Sequence, residues 1–363
     1  MEKVLFFSFL SLTLLAIASF TALGVFVAFD LSLFQKRLII SLAIAGPVFF
    51  ILSNILFSYF PNNFSQFFYI VNSYFGGIFL YWFFASIIIC LFFLISQFVF
   101  FPINKIAFFL YVIASLVGIV GIVQAFFIKI VPYQVHVPVQ HAELVGKKAV
   151  LIADTHFGPV NQEKFAKQIV EKILEIKPDF VLIAGDMFDG FAFNTFGVEN
   201  EFKKLTNDIP VFFTPGNHEE YGPYRDFLDS ANRAGMKVLV DESSLIFNVP
   251  IFGLNYRTNK DKIEIAKVLD QNISENNPAI VLNHEPLFQD LLKDRGVFLV
   301  VSGHTHGGQL WPGRYIAKRI YKEYVYGLVN KDYFNSITTS GVGTYGPRLR
   351  TFNPPEIVLI EFK

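Results

Sequence analysis

The sequence predicts two chemically different parts in one chain: an α-helical membrane bundle of four transmembrane helices, then an α/β domain. Three observations predict this. Charge is unevenly placed: residues 1–131 hold only Glu2, Lys3, Asp30, Lys36, Arg37, Lys105 and Lys129, and the other 53 of the 60 charged side chains lie in the remaining 232 residues. The stretches between those few charges are long and apolar. Beyond residue 147 the apolar runs shorten and alternate with amphipathic stretches, as strands alternate with helices. A hydrophobic fraction of 53% and a lone Cys90 exclude a disordered chain and a disulfide-stapled domain. A net charge of zero supplies no nucleic-acid surface, so nucleic acid is not an expected partner. The oligomeric state is left open.

The uncharged runs are 4–29, 38–60, 64–101 and 106–128. A helix needs about 20 apolar residues to cross the hydrocarbon, where lipid satisfies no backbone polar group. The breaks are polar or helix-ending: 30–37, Pro61-Asn62-Asn63 and Pro102-Ile103-Asn104-Lys105. The first run is too long for a signal peptide and lacks an obvious small-residue cleavage site. No charged residue sits mid-span, so the bundle reads as an anchor and not as a transport path. Lys36, Arg37 and Lys105 fall on one side of a four-helix bundle, Lys3 and Lys129 on the other, a contrast too small to orient it.

The domain bounds expected are 1–131 for the membrane region, 132–147 for a linker or edge strand, and 148–363 for the α/β domain. Strands are expected at 149–153, 180–184, 211–214, 245–247, 251–254, 279–282, 298–301 and 357–362, with helices at 162–176 and 198–205.

Polar residues follow five of those strands: Asp154-Thr155-His156, Gly185-Asp186, Gly216-Asn217-His218-Glu219, Asn283-His284 and Gly303-His304-Thr305-His306. Carboxyl ends of strands line one crevice in α/β sheets. Singly, each is as readily a cap, a turn or a packed histidine. Together they bring two carboxylates, an amide and five of the seven histidines to one rim. Carboxylate, amide oxygen and imidazole suit divalent Mn, Fe or Zn, and without thiolates a cysteine-type zinc site is excluded. Two ions about 3.5–4 Å apart clamp a phosphoryl group, and one carboxylate must bridge them, with Asp186 the central candidate.

The ordered set Asp-x-His, Gly-Asp, Gly-Asn-His-Glu, Asn-His and Gly-His-Thr-His resembles the calcineurin-like metallophosphoesterase family over roughly residues 148–363. The resemblance implies a β-sandwich flanked by helices. It implies Asp154, His156, Asp186 and His306 at one metal and Asp186, Asn217, His284 and His304 at the other, manganese being the expected ion. His218 is then the imidazole that stabilises the transition state or protonates the leaving group. Gly307-Gly308-Gln309 and Asn353-Pro354-Pro355-Glu356-Ile357 resemble membrane-bound bacterial members, which include a UDP-2,3-diacylglucosamine pyrophosphatase of lipid A synthesis.

The expectation is therefore a metal-dependent hydrolase of phosphoester or diphosphate bonds in a bacterial inner membrane. Its substrate would be an amphipathic lipid-linked phosphate, its partners membrane lipids, and its catalytic domain cytoplasmic, where UDP-sugars are found. Arg314, in the mixed aromatic and basic segment 309–326, and Arg348 and Arg350 are expected on the substrate. The competing expectation is a membrane-anchored scaffold with a structural metal site; against it stands His218, which a structural site does not need.

Overall fold

The computed structural model describes residues 2–274 and 276–363, with side chains from Thr13 onward. The side chains of Glu2, Lys3 and residues 4–12, which open the first apolar run, lie outside the described residues. The chain forms two compact units, Met1–Val123 with Gly346–Leu349, and Gln124–Tyr345 with Arg350–Lys363.

The first unit holds four helices: α1 (Glu2–Ala28), α2 (Leu33–Tyr59), α3 (Asn63–Ser96) and α4 (Ile103–Gln124). Of these α2, α3 and α4 are long and apolar enough to cross a membrane, while the described part of α1, Thr13–Ala28, is a shorter apolar helix. The polar breaks cap the helices. Ser32 and Gln35 form a capping box on α2, and Asn62 and Ser65 form another on α3. Small and polar residues join the helices: Asn72 Nδ2 donates to Ser53 Oγ (3.0 Å), and Trp82 Nε1 donates to Ser115 Oγ (2.9 Å). Trp82 is thus tied to α4, and Tyr81 is buried.

The second unit begins earlier than the sequence suggests. Strand β1 (Lys129–Val135) starts inside the region expected as membrane and continues into the segment expected as linker or edge strand. It pairs in parallel at a sheet edge because Lys129 N–H donates to Pro355 O (2.9 Å) and sets the register. There follow β2 (Lys148–Ile152), α5 (Glu163–Ile176), β3 (Phe180–Ala184), α6 (Phe196–Thr206), β4 (Val211–Thr214), α7 (Asn217–Tyr221), α8 (Tyr224–Arg233) and β5 (Lys237–Val238). Next come β6 (Glu242–Ile246), β7 (Val249–Leu254), α9 (Lys262–Asn272), β8 (Ala279–Asn283), α10 (Gln289–Lys293), β9 (Val297–Ser302) and α11 (Gly313–Tyr321). The chain closes with β10 (Gly327–Lys331), β11 (Phe334–Thr338) and β12 (Glu356–Phe362).

These strands make two mixed six-stranded sheets, ordered β1-β12-β2-β3-β4-β5 and β10-β11-β9-β8-β7-β6. Leu151, Leu182 and Val358 of the first pack on Ile251, Leu282 and Leu299 of the second in one buried cluster, so the sheets stack face to face. Helices cover the outer faces. Phe165, Ala166, Ile169, Val170 and Ile173, one stripe of α5, bury with Phe202 of α6 and Phe227 of α8, each large side chain worth about 1.5–3 kcal/mol. Ile265 and Leu269 of α9 cover the second sheet. This is the sandwich flanked by helices that the resemblance implied. Helices α8 to α11 and the β10–β11 hairpin were not anticipated. Strand β11 is hidden because it buries Asn335, Ser336 and Thr338, with Asn335 Nδ2 donating to Phe298 O (3.2 Å).

Candidate metal centre

The carboxyl ends of β2, β3, β4, β8 and β9 deliver the predicted residues to one place. Strands β2, β3 and β4 run parallel in the first sheet, and β8 and β9 run parallel in the second. Two groups of donors result. In one, Asp154 Oδ1 lies 3.3 Å from His306 Nε2 and 4.0 Å from His156 Nε2, and the two histidine nitrogens are 3.1 Å apart. In the other, Asn217 Oδ1 lies 3.1 Å from His284 Nε2 and 2.8 Å from His304 Nδ1. Asp186 connects them: its Oδ2 is 3.2 Å from His284 Nε2 and 3.9 Å from His156 Nε2. All seven expected ligands therefore converge.

Local backbone explains how. Asp154, His156, Asp186, His304 and His306 have φ of 53°, 48°, 51°, 67° and 48°. Left-handed backbone is costly for residues with a Cβ, and its concentration at strand ends turns each side chain into the crevice. The glycines beside the ligands serve close approach. A Cβ at Gly216 would overlap Asp186 Oδ1, and one at Gly303 would overlap Asp154 Oδ2. Glu219 staples two of the turns, accepting from Phe188 N–H (2.8 Å), Asp186 N–H (3.0 Å) and Gly216 N–H (2.6 Å). Asp186 Oδ1 accepts from His218 N–H (2.8 Å).

The electrostatics suit cations. Desolvation lowers the His156 and His304 rings to about 4 and holds His306 well below its ordinary value, so these imidazoles are neutral and ligand-ready near pH 7. Burial also lowers His218. His284 behaves oppositely: desolvation would lower it, but the Asp186 carboxylate raises it to about 10. Burial would likewise raise Asp186, yet the His284 and His218 imidazoles hold it well below the carboxylate norm. Burial, with the Asp186 charge adding to it, pushes Asp154 up to about 7. His284 Nδ1 is committed to Ala184 O (2.8 Å), which directs Nε2 at Asp186 and Asn217. A divalent ion in place of the His284 proton would answer the converging oxygens and nitrogens, so the donor set fits a metal.

Two residues had no role in the sequence analysis. Asp189 Oδ1 lies 3.2 Å from His156 Nδ1 and 3.7 Å from His218 Nδ1, and burial pushes its carboxyl up to about 7. The only signal for it was a second carboxylate three residues after Asp186. Glu219 was noted as part of a motif, and its work as a staple is visible only in three dimensions. Tyr221 and Tyr345 flank His218, with ring centroids 5.3 and 4.9 Å away.

Of the three arginines expected on the substrate, only Arg350 has its guanidinium shown committed to backbone carbonyls. Arg350 is fully buried, and its guanidinium donates to the carbonyls of Ser340 (2.7 Å), Gly341 (3.2 Å) and Gly343 (2.6 Å), with His306 Nδ1 at 3.3 Å. It ties down the loop behind the metal ligand and has no face for substrate. Arg348 belongs to Gly346–Leu349 in the helical unit, where its N–H donates to Ser73 Oγ (2.9 Å). Arg314 is exposed with its guanidinium over the Tyr326 ring (4.7 Å).

A family description, "Calcineurin-like phosphoesterase", matches residues 147–308, a span that contains every candidate ligand. The chain belongs to the calcineurin-like metallophosphoesterase family. It is 30% identical over 268 residues to an uncharacterized metallophosphoesterase of Aquifex aeolicus, covering 69% of this chain and 98% of that protein. An uncharacterized metallophosphoesterase of Campylobacter jejuni is 34% identical over 228 residues, or 60% of this chain and 59% of that relative's length. The phosphodiesterase YaeI of Escherichia coli is 29% identical over 232 residues, covering 59% of this chain and 81% of its own.

Proposed function

We propose that the protein is a two-metal hydrolase of phosphodiester or diphosphate bonds whose substrate is an amphipathic, lipid-linked phosphate. The observation that carries the hydrolase reading is Asp186 Oδ2, held between the Asp154–His156–His306 group and the Asn217–His284–His304 group. When bound, two divalent ions, manganese foremost, would supply Lewis-acid charge at the phosphoryl oxygens and acidify the attacking water. The chain's own residues do the remaining work. The seven ligands would hold the centre, six of them buried and His304 half-buried. His218 stands edge-on to His156 with ring centroids 4.6 Å apart, and Asp189 faces its Nδ1. Its other nitrogen is then available to a phosphoryl or leaving oxygen. A scaffold would not need this arrangement beside an intact ligand set.

The chain should hydrolyse bis-p-nitrophenyl phosphate when Mn²⁺ is restored after chelation. A metal-loaded, folded protein without turnover on this substrate or on a diphosphate would sink the reading.

The lipid-linked substrate rests on the three long apolar helices. A soluble nucleotide needs no such anchor, whereas an acylated phosphate must be met at a bilayer. The name phosphodiesterase borne by YaeI supports diester chemistry. UDP-2,3-diacylglucosamine is the substrate to test first, in a bacterial inner membrane with the catalytic domain cytoplasmic. Depleted cells should accumulate that nucleotide, and an unchanged lipid A pathway removes the candidate. Alkaline phosphatase and fluorescent-protein fusions after Lys363 test the side; a bright phosphatase fusion with a dark fluorescent one would put the domain outside.

A further inference from the structure

Helix α11 is amphipathic yet none of its residues is buried. It is held to the catalytic domain on one side: Arg314 lies over Tyr326, and Tyr321 Oη donates to Glu285 Oε1 (2.8 Å) beside His304. Tyr315, Ile316 and Ile320 share an arc of about 140° at 3.6 residues per turn. They are 68%, 64% and 62% exposed, and Trp311, just before the helix, is 51% exposed. Arg319, also exposed, lies within that arc, and Lys318, exposed too, lies about 60° beyond its Tyr315 edge.

We infer that α11 is an interfacial helix that seats Trp311, Tyr315, Ile316 and Ile320 among the headgroups and acyl ends of an anionic bilayer, with Lys318 and Arg319 on lipid phosphates. Two observations choose lipid. A second copy of this face would bring the same cations together, a repulsion that anionic lipid converts into attraction. Among the described residues the same chain also carries three helices suited to crossing a membrane, so a bilayer is within reach of a tethered helix. Apolar side chains mixed with lysine and arginine on a short surface helix are suited to lying in the interface. Because Tyr321 and the turn after His306 bracket α11, the seated helix would border the metal centre.

The test uses the full chain in nanodiscs. Trp82 and Trp311 are its only tryptophans, so Trp82→Phe leaves Trp311 as the sole emitter. In discs containing anionic phosphatidylglycerol, Trp311 emission should shift to the blue and be quenched by lipids brominated along the acyl chain. In neutral phosphatidylcholine discs the quenching should weaken. Lys318→Glu with Arg319→Glu should lower partition of the helix into the anionic surface roughly fivefold per cation removed. Ile316→Ser with Ile320→Ser should abolish the quenching. Unquenched, red-shifted emission in both lipids overturns the inference. So does a blue shift that brominated lipid does not quench, which would put a second copy or another protein on the face. If Trp82→Phe disturbs the bundle, amide exchange of residues 313–321 in the unaltered chain decides: equal exchange in anionic and neutral discs overturns the inference. Hydrolysis of bis-p-nitrophenyl phosphate should be unchanged in all these variants, which separates failure of this inference from failure of the proposed function.

Discussion

Asp186 Oδ2 lies 3.2 Å from His284 Nε2, a buried contact in which carboxylate and imidazole each hold the other in its charged form. The pair is self-satisfying without a metal and becomes a ligand pair once the His284 proton is displaced. Proton and cation therefore compete for one position.

Loading should accordingly release protons. With His284 raised to about 10 and Asp154 to about 7, ion binding at about pH 6 displaces a proton from each, and at about pH 8 chiefly from His284. Affinity should rise with pH across that range and flatten near pH 10. Titration calorimetry in buffers of different ionisation enthalpy measures the protons released; a loading enthalpy independent of buffer contradicts this account.

Asp186→Ala and His218→Ala should fail in different ways. The first removes the oxygen that both donor groups share, so metal analysis should find at least one ion lost. The second should retain its metal while turnover falls by about 10²–10⁴-fold, the usual worth of a positioned acid or oxyanion partner. Equal metal loss in both variants would undo the assignment of His218.

Asp189→Asn tests orientation of His218. The Asp189 charge raises the His218 ring against the burial that lowers it. Removing the charge should lower that ring further. If protonated His218 serves the leaving group, the alkaline limb of the kcat profile should move to lower pH while KM changes little. An unmoved limb would confine Asp189 to packing.

Arg350→Ala should behave as a folding lesion. The loss exposes no substrate contact but strands the buried carbonyls of Ser340 and Gly343, at about 1–3 kcal/mol for each unsatisfied group, while the Gly341 carbonyl keeps its bond from Glu356 N–H. Thermal unfolding should show the loss, and Arg350→Lys should rescue it only in part because ammonium cannot fan out to the same carbonyls. A raised KM with unaltered melting would return Arg350 to the substrate.

Much of the site was legible because its chemistry is local. Each ligand follows a short apolar strand, and a strand's carboxyl end is a place where a side chain can reach a ligand whatever the details of packing. Apolar helix lengths and capping residues likewise depend largely on neighbours, which is why α2 ends at Tyr59 just before the 61–63 break and Asn62 caps α3, although α3 ends at Ser96, short of the 102–105 break, whose last three residues open α4. Less local features escaped. Strand β1 was unreadable as part of the domain because its partner, β12, is more than two hundred residues away. Helices α8 and α9 were missed among ordinary polar surface sequence.

By itself, the chain determined which residues can bind a divalent cation and how much of it suits lipid, because donor type and apolar length are properties of side chains alone. Tertiary structure decided which donors share an ion and which charges are consumed. Asp186 sits between two groups only because two sheets stack with their strand ends on one edge. Arg350, which looks like a free cation in the sequence, is spent on backbone carbonyls because the loop that follows β11 folds back over it. A guanidinium's use depends on what it meets in space, and that is set by packing.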